Sequence, residues 1–207
     1  MSGTCNPLLI KGINQENLQI HFNLGIIMKT LSNFLHRIAN WKSLVVFLAL
    51  YISFPACFLK NAEAKINELA GKPVGIIDLT VGFNPQKTLD TVAGYGDDAR
   101  AYYARTEMTT DVAYPIVYAF LFGIILSLLY RNTSYARANT LPFVMLLFDY
   151  AENVCIVRLL QSFPQQSVTV ATFCEVFKLL KWLVFGAIIV LIVWGLIRKL
   201  WKRSSRF

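Results

Sequence analysis

Four apolar runs constrain the fold of this chain more than any other feature, because each approaches the length of a membrane span. A helix needs about 20 predominantly apolar residues to cross the hydrocarbon core of a bilayer. The chain has 207 residues, of which 15% are charged, whereas a soluble domain carries about 25%. We therefore predict an all-α fold, a four-helix transmembrane bundle within residues 43–207. The predicted spans cover about 43–59, 112–130, 141–160 and 172–197.

Basic residues flank these runs asymmetrically. Lys42 precedes the first run, Arg131 and Arg137 lie between the second and third, and a basic tail follows the fourth, whereas residues 161–171 contain no Lys or Arg. The positive-inside rule then places both ends of the chain in the cytoplasm. We expect a multi-pass protein of a bacterial inner (plasma) membrane whose partner is the lipid bilayer. The net charge of +8 is concentrated in these flanks, so nucleic-acid binding is not expected.

Residues 1–42 precede the first predicted span and read as an N-terminal extension followed by a basic amphipathic helix. Apolar residues recur at helical spacing over 24–41, opposite basic residues, which favours a helix lying on the inner leaflet. The stretch from Met28 also resembles the charged start of an export signal. Residues 62–64 resemble a cleavage site, so a cleaved signal is the alternative to the uncleaved anchor that we prefer.

Residues 60–111 form the largest polar segment and predict a small helical extracytoplasmic cap between spans one and two. Within the cap, residues 76–79 read as a short extended stretch. Asn84, followed by Pro85, predicts a helix start, and the glycines near residue 95 predict its end. Asp97 is the expected N-cap of the next helix, which should run unbroken into span two.

One face of that helix carries a polar stripe, because its members recur at intervals of three or four residues. The stripe indicates either a functional surface or an interfacial belt of aromatic and charged residues. Its members are Arg100, Tyr103, Glu107, Asp111, Tyr114 and Tyr118.

The third run carries the strongest functional signal. Asp149, Glu152 and Asn153 lie at i, i+3 and i+4 and therefore share one helix face. A charged residue at the centre of a span costs about 2.5–3.5 kcal/mol on insertion scales, so these groups must face protein or water. Lys181 in the fourth run is a candidate counter-charge, or it extends to the membrane surface. We predict a polar pocket between spans two, three and four that opens outward.

Several catalytic and cofactor classes lack their sequence signatures. The chain has no Gly-rich phosphate loop, no Gly-x-Ser-x-Gly and no His-Glu-x-x-His motif. Both histidines precede the first run, and the four cysteines are scattered without a Cys-x-x-Cys pair. We therefore expect no metal and no cofactor, and we assign no catalytic residue.

Five strings carry a family resemblance: IDLTVGFNP, GYGDDAR, DVAYPIVY, LFDYAEN and LLKW. Together they resemble a family of four-span bacterial integral membrane proteins without an assigned activity, over most of residues 76–185. The resemblance implies the topology and no mechanism. The chain is more loosely similar to sterol-isomerase-like (emopamil-binding) membrane proteins, which hold acidic residues inside a helical bundle. It lacks their histidine and one span, so no catalytic residue is transferred.

Three hypotheses for function follow. The first is binding of, or action on, a lipid or other apolar small molecule in the predicted pocket. The second is a structural or assembly subunit of a membrane complex, in which the carboxyl groups serve as interhelical hydrogen bonds. The third is a proton-coupled transporter, which four spans would support only as a homodimer.

Overall fold

The structure is a computed structural model, and it describes residues 7–80 and 82–204. The first six residues of the expected N-terminal extension lie outside this range. Helices dominate the described residues, which contain no β-strand. The helices are α1 (Pro7–Ile38), α2 (Trp41–Phe54), α3 (Lys60–Ala70), α4 (Pro85–Gly94), α5 (Asp97–Tyr130), α6 (Leu141–Gln161) and α7 (Val168–Ser204).

Three helical segments among the described residues are long and apolar enough to cross a membrane: Trp41–Ala70, Asp97–Tyr130 and Val168–Trp201. They coincide with the first, second and fourth predicted runs, and they indicate a membrane-embedded protein. The third run forms α6, a helix of 21 residues. It is not among the three, and its Asp149, Glu152 and Arg158 lower its hydropathy.

The first membrane helix is longer than predicted. We expected it to end near residue 59, but α2 continues through a π-helical turn at Pro55–Leu59 into α3. Pro55 lacks an N–H group and would break a regular α-helix. The π-helical turn accommodates it, because the N–H of Lys60 donates to the carbonyl of Pro55. The helix ends at Gly71, whose φ of 66° is the left-handed conformation typical of a C-cap.

The cap helix α4 begins and ends as predicted. The side chain of Asn84 accepts a hydrogen bond of 3.0 Å from the N–H of Lys87, with Pro85 as the first helical residue. Two local predictions were wrong. Ile77–Leu79 is a 3₁₀ turn rather than an extended stretch. Gly96 rather than Asp97 caps α5, because the Asp97 carboxylate accepts from Arg100 instead.

The amphipathic helix α1 is attached to the bundle through its C-terminal turns. Leu35 is fully buried and packs against Gly123. A Cβ atom at Gly123 would lie 3.3 Å from the Leu35 methyl groups. Asn139 donates to the carbonyl of Ser32 over 3.2 Å, and Arg131 donates to the carbonyl of His36 over 2.6 Å. These contacts fix the end of α1 against α5 and the segment that precedes α6.

Two apolar cores lie at different heights in the bundle, and polar residues fill the interval between them. The cap core reaches down α5 as far as Ala104, whereas the second core begins at Tyr118. On α6 the corresponding limits are Ile156 and Met145. The acidic residues of α5 and α6 fall within this interval, so the fold gathers them at one level.

Candidate functional site

A buried ion cluster joins α6 to α7. The ammonium group of Lys181 lies 2.8 Å from Oδ1 of Asp149 and 2.5 Å from Oε2 of Glu152. The three side chains are at most 9% exposed. Asp149 and Glu152 reach the same lysine because residues at i and i+3 share a helix face. The predicted counter-charge therefore pairs with both carboxylates rather than extending outward.

The lower half of the polar stripe on α5 joins this cluster. The hydroxyl of Tyr118 donates to Oδ2 of Asp149 over 2.8 Å. The amide of Asn153 donates to Oδ2 of Asp111 over 3.2 Å. The structure thus forms two bonded groups from the predicted residues: Asp149 and Glu152 with Lys181 and Tyr118, and Asp111 with Asn153.

Asp78 belongs to the same site, and the sequence analysis missed it. The hydroxyl of Tyr103 donates to Oδ1 of Asp78 over 3.1 Å and accepts from the N–H of Ile77 over 3.1 Å. Loss of hydration raises the pKa of Asp78, and the positive charge of Lys181 opposes that rise. The available signal was an acidic residue directly after two isoleucines in a loop, although nothing in the loop's pattern shows which way it points.

Two carboxyl oxygens in the cluster have no partner. Glu107 is 2% exposed, and its Oε2 forms no hydrogen bond among the described residues. The same holds for Oε1 of Glu152, which is fully buried. An unsatisfied buried carboxyl is costly, so these oxygens are candidates to accept a proton or a ligand.

A cavity of about 410 Å³ lies against these groups. Its charged lining consists of Lys60, Glu63, Asp78, Asp111, Asp149 and Lys181, and most of the other lining side chains are aromatic or aliphatic. The wall includes Tyr51 of the first membrane helix, which the sequence analysis did not place there. The remaining apolar lining includes Leu59, Tyr114, Phe122, Met145, Trp182 and Phe185.

The cavity has a lateral gap between α2 and α7. Helix α2 packs against α5 and has at most sparse contact with α7. Trp182 on α7 and Leu79 in the cap line the cavity and are still 47% and 61% exposed. An apolar molecule would therefore meet apolar side chains on its way into the cavity from the side.

Of the predicted site residues, Glu107, Glu152, Asn153 and Arg100 do not line this cavity. Arg100 also makes its contacts away from the ion cluster. It donates to the Val92 carbonyl over 3.2 Å, pairs with Asp97, and lies 3.8 Å from the centre of the Phe163 ring. Eleven residues along α5 separate Arg100 from Asp111, a rise of roughly 16 Å. The two share a helix face at different heights, and Arg100 stabilises the cap.

A second buried ion pair, on α7, binds the residues that precede and begin α4. Lys178 lies 2.6 Å from Oε1 of Glu175, and it donates to the hydroxyl of Thr80 over 2.7 Å. Glu175 also accepts from the hydroxyl of Thr88 over 2.6 Å and from the N–H of Asn84 over 3.1 Å. These bonds attach the loop that carries Asp78 to α7, and they thereby fix the position of Asp78.

The donor set does not form a metal site in the described part of the chain, where no group of three or more His, Cys, Asp or Glu side chains is arranged to hold an ion. Comparison with known protein families, with characterised proteins and with solved structures gave no match to this chain. The family resemblances therefore stay predictions, and the function is argued from the geometry of the cavity.

Proposed function

We propose that the protein crosses a bacterial inner membrane four times and binds, or acts on, a lipid or other apolar small molecule. In addition to the three long apolar helices, α6 crosses the membrane as the third span in chain order. Its polar residues face α5 and α7, whereas Leu147 and Val154 are 64% and 69% exposed. Apolar side chains outside and carboxyl groups inside are the arrangement that a lipid environment favours. The basic flanks support cytoplasmic ends, with the cap of residues 60–111 on the outside.

The observation that carries the binding proposal is that the cavity combines a mostly apolar lining with a few charged groups. Its volume of about 410 Å³ falls within the range of small-molecule sites, roughly 300–1,000 Å³. Such sites are mostly apolar and have a few polar groups that orient the ligand. Here the polar groups include Asp149, Lys181 and Asp111, and Tyr118 donates to the first of them. An amphiphilic ligand would place its polar group against this side and its apolar body toward the lateral gap.

The test is to obstruct the mouth of the cavity without disturbing the core. Leu79→Trp enlarges an exposed cap residue that lines the cavity, and Phe83→Trp is the matched control, since Phe83 is 53% exposed on the same loop. Both proteins are purified in dodecyl maltoside, and their bound apolar molecules are extracted and quantified by mass spectrometry. We expect a molecule that co-purifies with the wild type and Phe83→Trp and is depleted from Leu79→Trp. No such molecule, or equal retention by both variants, would contradict the proposal.

A structural role is the second candidate, and the ion cluster favours it. Every contact of Lys181 with Asp149 and Glu152 joins α6 to α7, as expected of polar groups that hold helices together in a membrane. Under this alternative, substitutions in the cluster reduce stability or disrupt a membrane complex, and no bound molecule is recovered.

A further inference from the structure

The acidic and basic groups around the cavity are unequal in number. Asp149 and Glu152 share one ammonium group, that of Lys181. Glu107 and Asp111 lie one helical turn apart on α5, and Asp78 lines the cavity beside Asp111 and accepts a hydrogen bond from Tyr103, one turn from Glu107. Among the ion pairs of the described residues, none gives these three carboxyls a basic partner. Glu63 and Lys60 also line the cavity, so the site contains six carboxyl groups for two lysines.

Hydrogen bonding compensates only part of this excess. Tyr103 donates to Asp78, and Asn153 donates to Asp111. Glu107 has no such donor at Oε2, although it is 2% exposed and lies one helical turn from Asp111 on the same face of α5. A buried carboxylate without a donor or counter-ion is unfavourable. Either a proton or a bound cation must neutralise this part of the site.

The side of the cavity next to these carboxyls is aromatic. The rings of Tyr51 and Tyr114 stack with centroids 5.7 Å apart and an interplanar angle of 18°. Phe54 also stacks with Tyr114, with centroids 5.5 Å apart. Tyr51, Tyr114 and Trp182 all line the cavity. Aromatic faces next to carboxylates are the combination that binds substituted ammonium groups, because the ring quadrupole attracts a cation that is too bulky to form many hydrogen bonds.

We propose that the ligand is a cationic amphiphile, an apolar molecule with an amine or quaternary ammonium group. Its charged group lies among Asp78, Asp111 and Tyr114, and its apolar body extends along Met145 and Phe185 toward the gap between α2 and α7. This inference names the ligand class for the cavity and rests on the proposed binding function. An anionic lipid head group would instead meet an excess of negative charge, because the carboxyl groups outnumber Lys60 and Lys181 and the latter is already paired twice.

The test compares three probes that share one alkyl chain and differ in the charge of the head group. Hexadecyltrimethylammonium is cationic at every pH, hexadecanol is neutral, and palmitate is anionic. Binding of each radiolabelled probe to the immobilised full chain in dodecyl maltoside is measured by scintillation proximity, with protein-free beads as the reference. We expect the ammonium probe to bind at least about tenfold more tightly than the alcohol, as charge complementarity in a poorly hydrated site supplies this much discrimination. Palmitate should bind most weakly.

Three variants test the charge itself. Asp78→Asn and Glu107→Gln each remove a carboxylate with little change in shape, and Asp90→Asn is the matched control on the exposed side of α4. We expect the first two to weaken ammonium binding about three- to tenfold while the binding of hexadecanol, which reports an intact cavity, is unchanged. Asp90→Asn should change neither.

The outcomes separate this inference from the proposed function. If the alcohol and the ammonium probe bind equally, or palmitate binds most tightly, the cationic class is wrong and the binding function stands. If ammonium binding survives both substitutions unchanged, the carboxyl groups do not select the ligand, and the inference is overturned. If no probe binds and no molecule co-purifies with the protein, the proposed function fails, and this inference fails with it.

Discussion

Replacing Lys181 with methionine removes the cation of the buried cluster and keeps the length of the side chain. The ammonium group lies 2.8 Å from Asp149 and 2.5 Å from Glu152, and each contact represents roughly 6 kcal/mol of gross attraction at an effective dielectric constant of about 20. Dehydrating the charged groups offsets much of this attraction. Removal of one partner from a buried ion pair nevertheless costs about 3–5 kcal/mol, because the other charge is left uncompensated. We expect a loss of this size in the free energy of unfolding.

The assay is denaturant-induced unfolding of the purified protein in mixed micelles, followed by circular dichroism. The control is Lys65→Met, because the pair between Lys65 and Glu68 lies on the surface, with side chains 43% and 67% exposed. Exposed pairs contribute at most about 1 kcal/mol. A triple variant that also carries Asp149→Asn and Glu152→Gln should recover most of the loss, since the two carboxylates that Lys181 neutralised are then gone.

The reasoning would be refuted if Lys181→Met lost no more stability than Lys65→Met, since the cluster would then be hydrated rather than buried. Failure of the triple variant to recover stability would mean that packing around Lys181, rather than its charge, causes the loss. In that case the charge count used to infer the ligand would have no support.

Three further substitutions test other parts of the structure. Gly123→Val should displace α1, because even the Cβ atom of a side chain at this position would lie 3.3 Å from Leu35. The overpacking costs about 1–3 kcal/mol, and a spin-label distance from α1 to α5 should lengthen. Glu175→Gln weakens the bond of 2.6 Å from Thr88, so limited proteolysis should cut the cap loop faster than in the wild type. Asp78 has a pKa raised above its ordinary value of 3.8, so its proton stabilises the fold fully below that pH and less as pH rises through the folded-state pKa. In Asp78→Asn, the midpoint of thermal unfolding should therefore depend less on pH in that window. An unchanged pH dependence would contradict the raised pKa of Asp78.

Helical spacing predicted which polar side chains share a face. Asp149, Glu152 and Asn153 lie on the inner face of α6 as their i, i+3 and i+4 spacing requires, and Lys181 pairs with two of them. Charged side chains in an apolar helix are too costly to face lipid, so these residues were expected to face the protein interior. The same spacing also included Arg100, which does not line the cavity, because periodicity indicates the face of a helix on which a residue lies and not its position along the helix axis.

Contributions from outside the polar helices could not be predicted from local patterns. Asp78 enters the site because the cap loop is fastened to α7 through Glu175, 91 residues beyond Asn84 in the chain. Tyr51 lines the cavity on an otherwise apolar helix. The sequence around it does not indicate which face of α2 points toward the cavity. The π-helical turn at Pro55–Leu59 was also missed, since the end of the apolar run near residue 59 was taken as the end of the helix.

The most direct test of the cavity is to capture its occupant in living cells. A photoreactive benzoylphenylalanine is introduced in place of Trp182, which lines the cavity, and, in a second protein, in place of Trp194. Trp194 lies on the same helix, is 59% exposed and does not line the cavity. After irradiation and purification, intact mass spectrometry identifies what each position has captured. A discrete adduct at position 182, absent at position 194, is the predicted result. The same spread of bulk phospholipids at both positions would contradict the account.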